Sequence, residues 1–204
     1  NESTDQSMSD KSIYELQSGK KNNSIEMEEE LIVKDKEIFG LYDPDENGLD
    51  INMWANSDGD QLKNIFSKIN KIDLSEDSAE IMKISLLTNS HPPIKNILEK
   101  DFLRFKSDWL IKNADLDLIE EYLIQNQIIN IHPELTKHLV DQHLSSGNIE
   151  KVCKFFSQNL KPIDEKYLTK FNIYCLILNN KKDQAQLIFD LKKEQGFTDK
   201  YYES

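Results

Sequence analysis

Apolar and polar positions alternate with a helical period over the second half of the chain. Between Ile97 and Gly196 one pattern occurs three times: a helix, a short polar break and a second helix. Aligning the breaks places Leu118, Val152 and Ala185 at one equivalent position, with spacings of 152 − 118 = 34 and 185 − 152 = 33 residues. A period of about 34 residues is typical of tetratricopeptide-type helical hairpins. The sequence therefore predicts an all-α fold in which antiparallel hairpins stack into a right-handed α-solenoid.

Turn and capping residues predict where the helices end. The three hairpins are expected at residues 98–113 with 115–126, 133–146 with 148–158, and 164–179 with 183–195. Two earlier helices are expected at residues 60–70 and 77–89. Gly147 and Gly196 suit the position just after a helix, where φ is usually positive. The residues expected to cap helix N-termini through their side chains are Asp77, Asp115, Asn148, Asp164 and Asp183.

Each helix carries an apolar stripe that is too wide to be covered by one partner. In the first hairpin, one helix contributes Phe102, Phe105, Trp109 and Leu110, and the other contributes Leu118, Ile119, Tyr122 and Leu123. Such stripes are covered when neighbouring hairpins stack, which gives a repeat array a continuous core. These aromatic residues are therefore predicted to be core residues and not the lining of a ligand pocket.

Three regions are predicted along the chain. Residues 1–24 are polar and charged and form a disordered acidic tail. Residues 25–59 form an irregular segment with a structured turn, and residues 60–204 form the α-helical repeat domain. Within the irregular segment, large apolar residues flank Asp-Pro and Asn-Gly turn dipeptides. The residues expected to anchor it against the first helices are Phe39, Leu41, Met53 and Trp54.

The negative charge is concentrated near the N-terminus. Of the formal net charge of −12, residues 1–60 contribute 5 − 16 = −11 and the remaining residues 20 − 21 = −1. The sequence contains no basic stripe, so nucleic acid is not an expected partner. It also contains no apolar run near the roughly 18 residues that span a bilayer. The sequence starts at Asn1 and not at Met, so we expect a processed or trimmed product, for which removal of a leader is one of the alternatives.

Candidate chemistry is sparse. Asp43, Asp45 and Asn47 match the first half of a calcium loop, but its twelfth position is Trp54 and not the bidentate Glu that closes such a site. The alternative for the stretch from Asp43 to Gly48 is a plain polar turn. His138, Asp141 and His143 lack the HExxH spacing of a zinc helix. With no nucleophile-elbow, P-loop or dinucleotide-binding motif, the chain is predicted to be a non-enzyme without a cofactor.

A family resemblance adds to this prediction. The chain resembles the amino-terminal region of large, uncharacterised bacterial envelope proteins with tetratricopeptide-like repeats, over about residues 39–199. The matching positions are Gly40-Leu41, Asp43-Pro44, Gly48-Leu49, Trp54, Cys153, Cys175 and Gln184-Ala185-Gln186-Leu187. The resemblance implies export to the periplasm or cell envelope of a bacterium and a role in assembly. A cytoplasmic location is the alternative.

The two cysteines depend on that location. Cys153 and Cys175 are expected on neighbouring antiparallel helices, and in an exported protein a disulfide between them is permitted. The pairing rests on the resemblance and on helix adjacency. In a reducing compartment both side chains would instead be ordinary buried thiols.

Two related functions follow from the predicted architecture. The first is a non-catalytic protein-interaction scaffold that holds a protein partner on a helical face or near Trp54. The second is a structural subunit of a larger envelope complex, with Tyr201 and Tyr202 at an open C-terminal end that docks onto further repeats or self-associates. A divalent-ion module using Asp43, Asp45 and Asn47 is the alternative from a different class.

Overall fold

A computed structural model describes residues 37–198, and this part of the chain is all-helical. It contains no β-strand; two isolated parallel bridges pair Tyr42 with Thr88 and Asp58 with Lys95. A short 3₁₀ turn, Asp45–Asn47, precedes the helices. The helices are α1 (Gly59–Ile69), α2 (Glu76–Leu87), α3 (Glu99–Asn113), α4 (Leu116–Asn126), α5 (Pro133–Ser145), α6 (Ile149–Gln158), α7 (Lys166–Leu178) and α8 (Lys182–Glu194). The prediction of an all-α fold is therefore confirmed for residues 37–198, whereas the predicted tail over residues 1–24 lies outside them.

Some helix caps are those that the sequence predicts. The side chain of Asp115 accepts a hydrogen bond from the Leu118 amide at the start of α4, at 2.8 Å. Gly147 and Gly196 have φ of 73° and 87° and follow the last turns of α5 and α8. Asn148 stands at the N-cap of α6 but makes no side-chain capping bond.

Three predicted caps are wrong. Ser75, and not Asp77, caps α2, and Lys181, and not Asp183, stands at the N-cap of α8. Glu165 caps α7 through a 2.8 Å bond from the Leu168 amide. The predicted cap, Asp164, lies one residue before the N-cap, and its carboxylate accepts a bond from Lys192 at 3.1 Å.

The core runs from the irregular N-terminal segment to α7. The predicted apolar residues of α3 and α4 are largely buried, and Leu110, Ile119, Tyr122 and Leu123 are completely so. On α1, Leu62 and Phe66 are buried but Ile65 is 49% exposed, so the apolar stripe of this helix is narrow. A second, smaller core on α7 and α8 contains Ile173, Ala185, Phe189 and Phe197.

Helix contacts follow the order of the chain. The contacts that involve several residue pairs join α3 to α5, α4 to α5 and α6, α5 to α6 and α7, α6 to α7, and α7 to α8. From α3 onward, each helix therefore packs against its neighbour in sequence, against the next but one, or against both.

From Ile38 onward, the residues before α1 belong to the same compact unit as the helices. Phe39 is buried, and the amides of Leu41 and Tyr42 both donate to the Leu87 carbonyl, at 2.6 and 3.1 Å. The Asn126 side chain donates to the Gly40 carbonyl at 3.0 Å and accepts from the Gly40 amide at 3.2 Å. Residues 39–42, which we call the strap, thus enter the core as an extended segment that is held by hydrogen bonds to its backbone.

Gly40→Ala is expected to lower the free energy of unfolding by about 2 kcal/mol, because a methyl group forces the strap from its place. A Cβ at residue 40 would lie 2.6 Å from the Asn89 amide nitrogen and 2.7 Å from the Leu87 carbonyl oxygen. Urea denaturation measures the change. Gly48→Ala is the control: its φ of 64° is unfavourable for Ala but its surroundings are open, so a loss of about 1 kcal/mol is expected. Equal losses in the two variants would contradict the steric argument.

Candidate functional site

An open cleft lies between α7 and α8 and is closed at one end by the residues that follow α6. Its volume is about 400 Å³. One face of α7 lines it with Asn172, Leu176 and Asn179 at the helix end, and one face of α8 with Gln184, Ile188 and Leu191. Both sets repeat every three or four residues, so each is a single helix face. We call this site the α6–α8 cleft.

The α6–α8 cleft exposes large apolar side chains. Leu160, in the segment between α6 and α7, is 85% exposed, and Leu191 is 52% exposed. Buried Phe156 and the two cysteines also line the cleft. Single exposed leucines are common on protein surfaces, but exposed leucines beside an apolar cleft mark a binding surface.

The charged residues that line the cleft, among residues 37–198, are all lysines. They are Lys161, Lys181 and Lys192. Lys192 is paired with Asp164 at 3.1 Å. For Lys161 and Lys181, none of residues 37–198 supplies a carboxylate within ion-pair distance. Within the described part of the chain, the cleft therefore combines an apolar base with a positive rim in which two of the three lysines have no carboxylate partner.

Two amide side chains before α5 hold the exposed segment in place. The Gln127 side chain accepts a bond from the Leu160 amide at 2.6 Å and donates to the Gln158 carbonyl at 3.2 Å. The Asn130 side chain donates to the Pro162 carbonyl at 2.7 Å. These bonds satisfy backbone groups that no helix uses, so Leu160 projects outward from a fixed segment and not from a free loop.

A disulfide joins α6 to α7 beneath the cleft. Cys153 and Cys175 are bonded, with their Cα atoms 5.0 Å apart, and both are buried. The helices that carry them are in contact, as helix adjacency predicts.

A buried polar network forms a second unusual feature, in the first hairpin and its junction with α5. His132 is 1% exposed; its Nδ1 lies 2.6 Å from the Ser107 hydroxyl and its Nε2 3.2 Å from the Tyr122 hydroxyl. The Ser107 hydroxyl also donates to the Leu103 carbonyl at 3.2 Å. A neutral imidazole with its proton on Nδ1 satisfies all these groups: Tyr122 donates to Nε2, and Nδ1 donates to Ser107.

The electrostatics of this network favour a structural role. Desolvation, with a smaller contribution from the Lys106 charge, lowers the pKa of His132 to about 3. Desolvation also raises the pKa of Tyr122. A general base that acts at neutral pH needs a pKa near 7, and the nucleophile that it activates must be accessible to substrate. Ser107 borders a cleft of about 620 Å³ but is itself only 4% exposed.

Lys106 is the buried cation of this region. Its ammonium donates to the Phe39 carbonyl at 3.1 Å and lies 5.5 Å from the centre of the Phe102 ring. Burial lowers the pKa of Lys106 to about 8. The positive charge therefore destabilises the folded chain at neutral pH, although the strap carbonyl and the ring partly compensate it.

A Lys106→Met variant tests this effect through pH. The unfolded lysine titrates near 10.5 and the folded one near 8, so between these values the unfolded chain binds more protons. Wild-type stability then rises with pH relative to Lys106→Met, by at most about 1.4 kcal/mol per pH unit, and the difference is constant below pH 8. Urea midpoints over this range give the slope. A Lys71→Met variant, which removes an exposed lysine, is the matched control. A Lys106→Met difference that varies with pH no more than that of the control would refute the burial argument.

The candidate calcium residues form a capped turn. A side-chain oxygen of Asp43 accepts a bond from the Asp45 amide at 2.8 Å, and the Asn47 side chain donates to the Asp43 carbonyl at 3.0 Å. Within residues 37–198, no three His, Cys, Asp or Glu side chains group as metal ligands would. The turn reverses the chain between the strap and Trp54.

The other predicted site residues are dispersed. The ring nitrogen of Trp54 donates to the Ser85 carbonyl at 3.2 Å, and its ring packs on Phe66 and Phe102. The half-buried Trp54 thus lies against the core, while Tyr201 and Tyr202 lie outside the described residues.

The residues His138, Asp141 and His143 lie on α5. Asp141 accepts a hydrogen bond from Tyr167, and His143 is buried, with its ring nitrogen 4.0 Å from the Glu120 carboxylate.

The α6–α8 cleft was not predicted from the sequence. The available signal is Leu160-Lys161-Pro162, where an apolar residue and a cation stand between two helices and a proline follows. Ile188 and Leu191, which lie three residues apart in an expected helix and both line the cleft, are a second signal.

No helix within residues 37–198 has the length and apolar character to cross a bilayer. No protein-family model, curated protein or solved structure matches the chain. The resemblance to envelope proteins therefore stays a prediction.

Proposed function

We propose that this chain is a non-catalytic protein-interaction scaffold, and that its helices form a short right-handed α-solenoid of tetratricopeptide-like hairpins. The 34- and 33-residue spacings support the repeat, as do the contacts of α3 with α5, α4 with α6 and α5 with α7. Contacts between helices one hairpin apart are what a stacked array produces.

The observation that carries this proposal is the α6–α8 cleft. A fixed segment holds Leu160 in solvent at one end, and Leu191 lies exposed on the opposite wall. Keeping large apolar side chains in water is unfavourable, and a partner that covers them gains about 25 cal/mol for each Å² of apolar surface removed from water.

Membership of a larger envelope assembly is the second form of this proposal. Ile177, Leu178 and Leu187 are also exposed on α7 and α8, so apolar surface extends beyond the cleft at this end of the described chain. The disulfide supports an oxidising compartment such as the periplasm, since such bonds are rare in reducing ones.

Site-specific photo-crosslinking in the native cells tests the scaffold proposal. A photoreactive residue at position 160 or 191 is expected to yield discrete adducts with another protein. Positions 81 and 72 are the controls, because Ile81 and Ile72 are 67% and 52% exposed but lie on α2 and before it, away from the cleft. Equal adduct yields at cleft and control positions would overturn the proposal.

A further inference from the structure

We propose that the α6–α8 cleft binds a two-turn amphipathic helix of a partner protein, with leucine-like side chains on one face and carboxylates beside them. This inference rests on the proposed function and specifies the partner's chemistry. The juxtaposition that carries it is an apolar groove between two helix faces, with lysines at its rim and with no acidic residue among the described residues that line it.

The length of the groove sets the size of the bound segment. Along α7 the lining extends from Asn172 to Asn179, and along α8 from Gln184 to Leu191. At 1.5 Å per residue, seven residues span about 10 Å, or two helical turns. A segment of this length presents apolar side chains at i, i+4 and i+7 on one face.

The walls of the groove favour a helix over an extended strand. Strand addition requires a free edge of backbone amides and carbonyls. Here both walls are helix faces, whose backbone groups are bonded within α7 and α8. The backbone groups of an incoming helix are hydrogen-bonded within that helix, so it needs only side-chain contacts with Ile188, Leu191 and Leu160.

The rim sets the charge of the bound segment. Lys161 and Lys181 stand at the groove without a carboxylate partner among residues 37–198, and Lys192 has one in Asp164. Carboxylates on the flanks of the incoming helix complement these cations, and a basic helix meets like charges. A second copy of this chain docked cleft to cleft brings the same lysines together, which is unfavourable.

A synthetic peptide pair tests this chemistry with the full chain. The probe is an end-blocked, fluorescently labelled helical peptide with Leu at i, i+4 and i+7 and Glu on the flanking positions. The matched control peptide carries Lys in place of every Glu. We expect the Glu peptide to bind at least tenfold more tightly by fluorescence anisotropy, with an affinity that falls as ionic strength rises.

Variants of the cleft locate the binding. Leu160→Ser removes an exposed side chain whose loss does not disturb the core, and it is expected to weaken binding of the Glu peptide about tenfold. The double variant Lys161→Glu and Lys181→Glu is expected to do the same and to reverse the peptide preference. Ile81→Ser and the double variant Lys68→Glu and Lys71→Glu are the matched controls, and we expect unchanged affinity for both.

Each outcome decides one of the two proposals. Binding of the Glu peptide that only the cleft variants weaken supports the inference. Equal binding of both peptides, no binding of either, or equal loss in the control variants overturns it. If position 160 crosslinks to a protein while the Glu peptide does not bind, the scaffold proposal stands and the acidic-helix chemistry is wrong. Self-association that Leu160→Ser abolishes and the Glu peptide does not displace would make a second copy the occupant, which also overturns the inference.

Discussion

His132→Ala is expected to lower the free energy of unfolding at pH 7 by about 4 kcal/mol, because it combines a buried cavity with the loss of the one partner of the Tyr122 hydroxyl in the described structure. The imidazole is fully enclosed and contacts Ser107 at 2.6 Å and Tyr122 at 3.2 Å. Without it, the completely buried Tyr122 hydroxyl loses its one partner in the described structure. Chemical denaturation followed by circular dichroism measures the loss.

Two further variants separate the parts of this effect. Tyr122→Phe removes a hydroxyl but keeps the ring, so we expect a loss of about 1 to 2 kcal/mol. His138→Ala changes a half-buried histidine on the same helix that has no partner in the network, and a loss below about 1 kcal/mol is expected. A His132→Ala loss as small as that of His138→Ala would show that the network contributes little.

Acid gives an independent readout of the same residue. His132 stays neutral in the folded chain, with its pKa lowered to about 3, whereas the unfolded histidine titrates near 6.5. Between these values the unfolded chain binds the extra proton. The His132 contribution to wild-type stability is therefore complete above pH 6.5 and falls as the pH drops below it, by up to about 1.4 kcal/mol per pH unit. His132→Ala lacks this component, so the stability difference between the two proteins shrinks in acid.

Helix positions were predictable because local chemistry determines them. Pro133 fits the first position of α5, Asp115 caps α4, and Gly147 adopts the positive φ that ends α5. These signals depend on a few neighbouring residues, so they can be recognised in a single sequence. The same reasoning failed at Asp164, whose carboxylate binds Lys192 from α8, 28 residues away in sequence.

The clefts and the buried network were not predictable in this way. The network joins Ser107, Tyr122 and His132 from three elements, and no spacing among them forms a known motif. The strap interaction spans 86 residues between Gly40 and Asn126. Contacts of such separation depend on how helices are arranged in space, which periodicity alone does not specify. The exposure of Leu160 likewise depends on Gln127, from the preceding hairpin.

The disulfide is another contact between residues that are distant in sequence, and it lies at the candidate binding site. Cys153 is on α6, Cys175 is on α7, and both line the α6–α8 cleft. Because α6 ends at the segment that carries Leu160 and α7 forms one wall, the bond fixes two of the three surfaces that a partner contacts. Loss of the bond is therefore expected to affect both stability and binding.

Replacing both cysteines with alanine is expected to lower the free energy of unfolding by about 3 kcal/mol. The bond closes a loop with a sequence separation of 22 residues, and loops of that size restrict the unfolded chain by this amount in the chain-entropy model. Urea denaturation measures the loss. Reduction of the wild-type chain should lower its stability to a similar extent, and the same reductant should leave the double variant unchanged.

Thiol titration shows whether the purified chain contains this bond. Under denaturing conditions without reductant, alkylation is expected to label neither cysteine, and two labelled sites would refute the bond together with its predicted effect.

The double cysteine variant also separates the contributions of geometry and charge to binding at the cleft. The bond fixes the geometry of the cleft, while Lys161 and Lys181 supply its charge. We therefore expect the variant to bind the Glu peptide several-fold more weakly while keeping the preference for Glu over Lys. Loss of that preference would mean that the lysine positions, too, depend on the bond.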